Sequence, residues 1–158
     1  MGKTNFEKLR VYQLAELLAD HIWKIVLRWD YFAKVTVGKQ MVTAADSIGS
    51  NIAEGSGRGS LQDNRRFIKI ARGSLYETKH WLRRAYKRKL LNETDVTDLK
   101  PIIDELLPKL NAYFRSVDSA VEATQTKHQV QSSENRPHLF KKNVGAPFHH
   151  QTLRRRHR

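Results

Sequence analysis

The chain has 158 residues, with 29 Lys and Arg against 16 Asp and Glu, a formal charge of +13, and no cysteine. That length fits one domain of ordinary size, and the lack of cysteine excludes disulfides, zinc–thiolate sites and a cysteine nucleophile. No apolar run approaches the ~20 residues that span a bilayer, and the first residues carry neither a secretory h-region nor, with Phe6, a myristoylation signal. A cytoplasmic protein with no membrane partner is expected.

Charge and hydrophobicity divide at the same point. Residues 1–124 hold 21 basic and 15 acidic side chains and 12 of the 14 aromatics, whereas residues 125–158 hold 8 basic and 1 acidic, with Pro137, Gly145 and Pro147. The expectation is a folded domain over 1–124 and a basic, disordered tail over 125–158. The closing Leu153-Arg154-Arg155-Arg156-His157-Arg158 then reads either as solvated chain or as an auxiliary nucleic-acid-binding arm.

Apolar residues of the folded part recur at threes and fours, the spacing of helices. The first predicted helix runs from about Phe6 to Trp29 through Leu14, Leu18, Ile22 and Ile25. The stretch Asp30–Gly38 interrupts it, with Gly38 supplying the freedom of a turn. The second runs from about Lys39 to Glu54 and stops at Gly55-Ser56-Gly57-Arg58-Gly59. The third begins at Leu61, behind a capping box of Ser60 and Asp63, and runs to about Lys89, roughly 45 Å. The fourth runs from about Asp95 to Ala123, with Pro101 tolerable near its start and Pro108 expected to kink or locally break it. Four helices with short connections in about 120 residues predict an all-α, up-and-down four-helix bundle.

The third helix carries the functional signal. At about 100° per residue, Phe67, Ala71, Leu75, Thr78, Leu82 and Ala85 form a core stripe, and Arg65, Lys69, Arg72, Tyr76, Lys79, Arg83 and Lys87 fall on the outward side. Arg66, Arg84 and Arg88 widen that row on one flank, and Arg58 stands just ahead of it. From Arg58 to Lys89 there are 11 basic residues and two acids, Asp63 and Glu77. Like charges four apart, as in Arg65/Lys69, Lys79/Arg83 and Arg83/Lys87, cost ~0.2–0.5 kcal/mol per pair. A polyanion resting on the row would offset that cost by neutralising it and releasing counterions. The ten cations Arg58, Arg65, Arg66, Lys69, Arg72, Lys79, Arg83, Arg84, Lys87 and Arg88 are therefore candidate contacts for RNA or DNA phosphates. Such a row supplies affinity and salt dependence, not base readout. An acidic protein partner is the competing reading.

The glycine loop lacks a following Gly-Lys-Ser/Thr, the G-x-G-x-x-G spacing and a preceding strand, so a phosphate-loop enzyme is not indicated. It reads instead as a C-cap for the second helix and an N-cap for the third. His21 and His80 belong to no metal-ligand spacing, and the acids are scattered. No catalysis, metal or cofactor is expected. Asn51, next to Ile52, is expected near the core with partners on a neighbouring helix. Glu54 is placed to pair with Arg58. Gly73 and Ser74, small residues inside the longest helix, predict the close approach of another helix. Trp23, Trp29, Tyr31 and Phe32 offer more aromatic surface than a small bundle easily buries, so part of it is a candidate subunit interface.

The run Asp46-Ser47-Ile48-Gly49-Ser50-Asn51-Ile52-Ala53-Glu54-Gly55, followed by Gly57-Arg58 and by Ala71-Arg72-Gly73-Ser74-Leu75-Tyr76-Glu77, resembles a bacterial four-helix-bundle family. That family comprises the proteins encoded in ribosomal-RNA intervening sequences and the accessory variability determinants of diversity-generating retroelements. The resemblance covers roughly residues 5–120. It implies a homopentamer with a positive surface and, for the retroelement members, binding of nucleic acid and of a reverse transcriptase. The basic third helix favours that accessory role, and an intervening-sequence-type structural bundle is the alternative.

Overall fold

The computed structural model describes residues 4–134. A 3₁₀ turn, Phe6–Lys8, leads into α1 (Arg10–Leu27). The short α2 (Tyr31–Ala33) passes through a π-helical turn, Lys34–Gly38, directly into α3 (Lys39–Gly57). Then come α4 (Leu61–Lys87) and α5 (Glu93–Glu134). Among the described residues there is no strand.

Each long helix packs on two others, α1 on α3 and α5, and α4 on α3 and α5. Successive long helices run antiparallel. Gly38 and Gly49 of the α2–α3 rod meet Val26 and Tyr12 respectively, while Arg65 of α4 reaches Asp118 of α5. Leu14, Leu18, Ile48, Ile52, Leu75 and Leu106 are almost wholly buried between them. Burial of such side chains contributes roughly 1.5–3 kcal/mol each, which places the helical register under strong control of the apolar spacing.

The boundaries differ from the expected ones for local reasons. Asp30 caps α2, accepting from the Ala33 N–H at 3.0 Å, so the rod that includes α3 starts eight residues before Lys39. Gly38 is therefore helical and not a turn. Its missing Cβ admits Val26, whose Cγ1 would lie 2.7 Å from one. Gly55 likewise is no C-cap; it is buried inside α3, where a Cβ would stand 2.8 Å from Phe67 Cβ. The turn falls to Gly59, at φ +75°, and to Ser60, whose Oγ accepts from the Asp63 N–H at 3.0 Å as the capping box predicts.

Helix α5 continues unbroken through Pro101 and Pro108. Each proline removes one helical N–H, and the buried Leu106 and Leu110 on either side of Pro108 hold the register. The helix also runs past residue 124 to Glu134, so residues 125–134 are not the disordered chain expected there. The Arg154–Arg158 cluster lies outside the described residues. No helix of the described residues is long and apolar enough to cross a membrane.

Candidate nucleic-acid interface

Helix α4 owes its orientation to its buried stripe, Ile68, Ala71, Ser74, Leu75, Thr78, Leu82 and Ala85. The stripe is centred slightly to one side of the expected one, so Ile68 is buried and Phe67 only half-buried. The two polar members are satisfied within the helix: Ser74 Oγ donates to the Ile70 carbonyl at 3.1 Å and Thr78 Oγ1 to that of Ser74 at 2.8 Å. With that side fixed, the basic side chains must lie along the flank toward α5 and on the outward side.

The ten candidate cations separate by partner. Arg58 pairs with Glu54, the predicted i,i+4 contact, and that hydrogen bond raises the guanidinium pKa. Arg65 crosses to α5 and pairs with Asp118 at 2.9 Å. The other eight, Arg66, Lys69, Arg72, Lys79, Arg83, Arg84, Lys87 and Arg88, form no ion pair among the described residues. A cation without a local carboxylate keeps its full field for an incoming anion.

Aromatic rings hold some of these cations in place. Phe114 of α5 lies under two of them, with Lys69 Nζ 5.5 Å and Arg72 Cζ 5.0 Å from its centroid. Lys79 Nζ stands 6.0 Å from the Tyr76 ring, which is itself 54% exposed. Such contacts contribute about 0.5–1 kcal/mol at exposed sites and leave the positive charge accessible. Phe114 was invisible in the one-dimensional pattern, because nothing along the chain links it to residues some forty positions away.

Two of the remaining motif residues sit differently from expectation. Asn51 finds its partner in its own helix, Nδ2 donating to the Ser47 carbonyl at 2.7 Å, and not on a neighbour. Gly73 is exposed, and among the described residues nothing lies within 4 Å of where its Cβ would be, so the expected close approach of another helix is not found there. Among the described residues, no three His, Asp or Glu side chains group as a metal site.

The family model for the 23S rRNA-intervening sequence protein matches residues 7–112. The chain belongs to that family. No curated protein matches it. The matched span of this intervening-sequence protein includes all ten cations, the glycine loop and the capping box. Phe114 and Asp118, which steady Lys69, Arg72 and Arg65, lie just beyond it.

The aromatic cluster divides as well. Trp29 is buried, whereas Trp23, Tyr31 and Phe32 are exposed. Trp23 shares a groove of about 310 Å³ with Val26, Leu27 and Val42 on the α1–α3 side.

Proposed function

We propose that this intervening-sequence protein is a non-catalytic RNA-binding protein whose contact runs along the outward side of α4. The observation that carries the reading is the row of eight cations, seven on α4 and Arg88 at its C-cap, that no carboxylate of the described residues neutralises. Repulsion along such a row is a standing cost in the free protein, and phosphate contacts convert it into affinity through counterion release. The family's rRNA-associated name favours RNA over DNA as the polyanion. The narrower reading from the sequence resemblance adds a reverse transcriptase of a diversity-generating retroelement as partner; co-purification of such an enzyme with the full chain tests it.

The triple variant Lys69→Glu/Lys79→Glu/Lys87→Glu tests the interface by fluorescence anisotropy on a structured RNA at physiological salt. Arg65 is left intact because of its bridge to α5. Affinity is expected to fall by at least about tenfold, with a flatter salt dependence. Unchanged affinity, or an acidic protein captured through the same residues after nuclease treatment, overturns the reading.

Self-association belongs to the same proposal. Trp23 and Leu27 are 54% and 55% exposed beside one apolar groove, a surface that a second copy would cover. Light scattering at micromolar concentration is expected to give an oligomer, and Trp23→Ala a smaller species.

A further inference from the structure

The end of the bundle where α4 stops carries a second, differently built feature. Phe32, Ala33, Thr36 and Val37, from α2 and the π-helical turn, face Arg88 and Leu90 across a cleft of about 430 Å³, with Asp30 at its edge. Phe32 is 74% exposed although it is large and apolar, so most of its ring surface is open to solvent. Arg88 has no ion pair among the described residues, whereas Arg28 nearby in the fold is neutralised by Asp95.

The backbone of this end is unusual at two points. Lys89 sits at φ +58°, the only non-glycine residue with positive φ among those described. It occupies the left-handed position of a Schellman cap, in which Leu90 N–H donates to the Ala85 carbonyl at 3.0 Å, a position that glycine fills most readily. A lysine held there is stabilised less than glycine would be, and it places a third consecutive cation after Lys87 and Arg88. Opposite, the π-helical turn Lys34–Gly38, which follows α2 and its Phe32, carries Thr36 and Val37 of the cleft wall; such turns recur at functional sites. A left-handed residue between Arg88 and Leu90 of one wall and a π-helical turn in the other point to a role for the cleft.

We propose that this cleft binds an unpaired nucleotide of the RNA, its base stacked on Phe32 and its flanking phosphates on Arg88 and Lys89. A ring face beside cations is the combination that binds single strands through stacking and charge together. The Asp30 carboxylate, which holds the Ala33 N–H with one oxygen, repels phosphate from that edge and leaves it to the base. This inference rests on the RNA-binding reading above, and adds to the phosphate row of α4 a place that distinguishes unpaired from paired RNA.

The test compares a 12-nucleotide single strand with a blunt 12-base-pair RNA duplex, using the full chain. Phe32→Ala is expected to weaken the single strand about tenfold and to leave duplex affinity unchanged. Lys89→Gly is expected to raise the melting temperature, because it removes the left-handed lysine, while reducing the slope of single-strand affinity against salt by about 0.7, the loss of one phosphate contact. Single-strand affinity that ignores Phe32→Ala, while the α4 triple variant loses both ligands, overturns the cleft and leaves the α4 reading standing. Binding of neither ligand by the unmodified protein overturns the α4 reading and the cleft with it. A smaller species by light scattering, with both ligands lost in Phe32→Ala, assigns the ring to a contact between copies and overturns the cleft.

Discussion

Arg65 on α4 donates to Asp118 on α5 at 2.9 Å, both side chains about one-third exposed, and among the described residues it is the only cation of the row that a carboxylate from another helix neutralises. The bridge fixes the end of α4 that follows the glycine loop against α5, so Arg65 supports the fold where its neighbours present charge. Asp118→Asn is expected to cost up to about 1 kcal/mol by urea denaturation, the range of an exposed pair. At the same time it frees one guanidinium, so RNA affinity should rise and its salt slope should steepen by roughly 0.7–0.9. A loss of both stability and affinity would contradict that assignment.

Three helical glycines respond in two directions to the same substitution. At Gly55 an added Cβ meets Phe67 Cβ at 2.8 Å and Asn64 Oδ1 at 2.9 Å, and at Gly38 it meets the stiff Val26 side chain at 2.7 Å. Gly55→Ala and Gly38→Ala are expected to destabilise by about 1–3 kcal/mol, as overpacking does. Gly73 faces open space, so Gly73→Ala should stabilise the helix by about 1 kcal/mol. Denaturation midpoints of the three variants check the signs.

The same glycines mark the limit of what the sequence makes legible. Whether a glycine turns the chain or admits a neighbour depends on what lies across from it, so Gly38 and Gly55 read as turn residues until α1 and α4 are in place. Local signals read correctly: Ser60 and Asp63 cap α4 because the bond spans three residues, and Glu54 pairs with Arg58 because the C-cap Arg58 keeps a helical backbone. Ala71, Leu75, Thr78, Leu82 and Ala85 are buried as their spacing requires. The cations of the candidate interface were readable from the wheel, but the Phe114 platform beneath Lys69 and Arg72 and the left-handed Lys89 were not, since both depend on tertiary arrangement.

Asp46, exposed on α3, is held above its usual carboxylate pKa, first by partial desolvation against neighbouring atoms and then by the charge of Asp20 on α1. A raised acid binds its proton more tightly when folded. The group therefore favours the native state below its unfolded pKa, and that contribution is lost as pH rises through the folded value. Asp46→Asn removes the unfavourable ionised form and is expected to raise stability at pH 7 by up to about 0.5 kcal/mol, the scale of a surface substitution. The advantage should shrink as the pH is lowered toward 3. Thermal melts of both proteins across that interval test the sign.

Arg83 stands one turn from Lys79 and one turn from Lys87, exposed and without an ion pair among the described residues. Both neighbours repel it. Arg83→Glu replaces two repulsive i,i+4 pairs with two attractive ones, a gain of about 1 kcal/mol when each pair changes by a few tenths in each direction. The free protein should therefore melt at a higher temperature. The same change removes a phosphate contact and adds a repulsive charge, so RNA affinity should fall. Opposite shifts of stability and affinity in a single variant are the signature of charge placed for a ligand. A row that served only the solubility of the helix would yield the stability gain with no loss of binding.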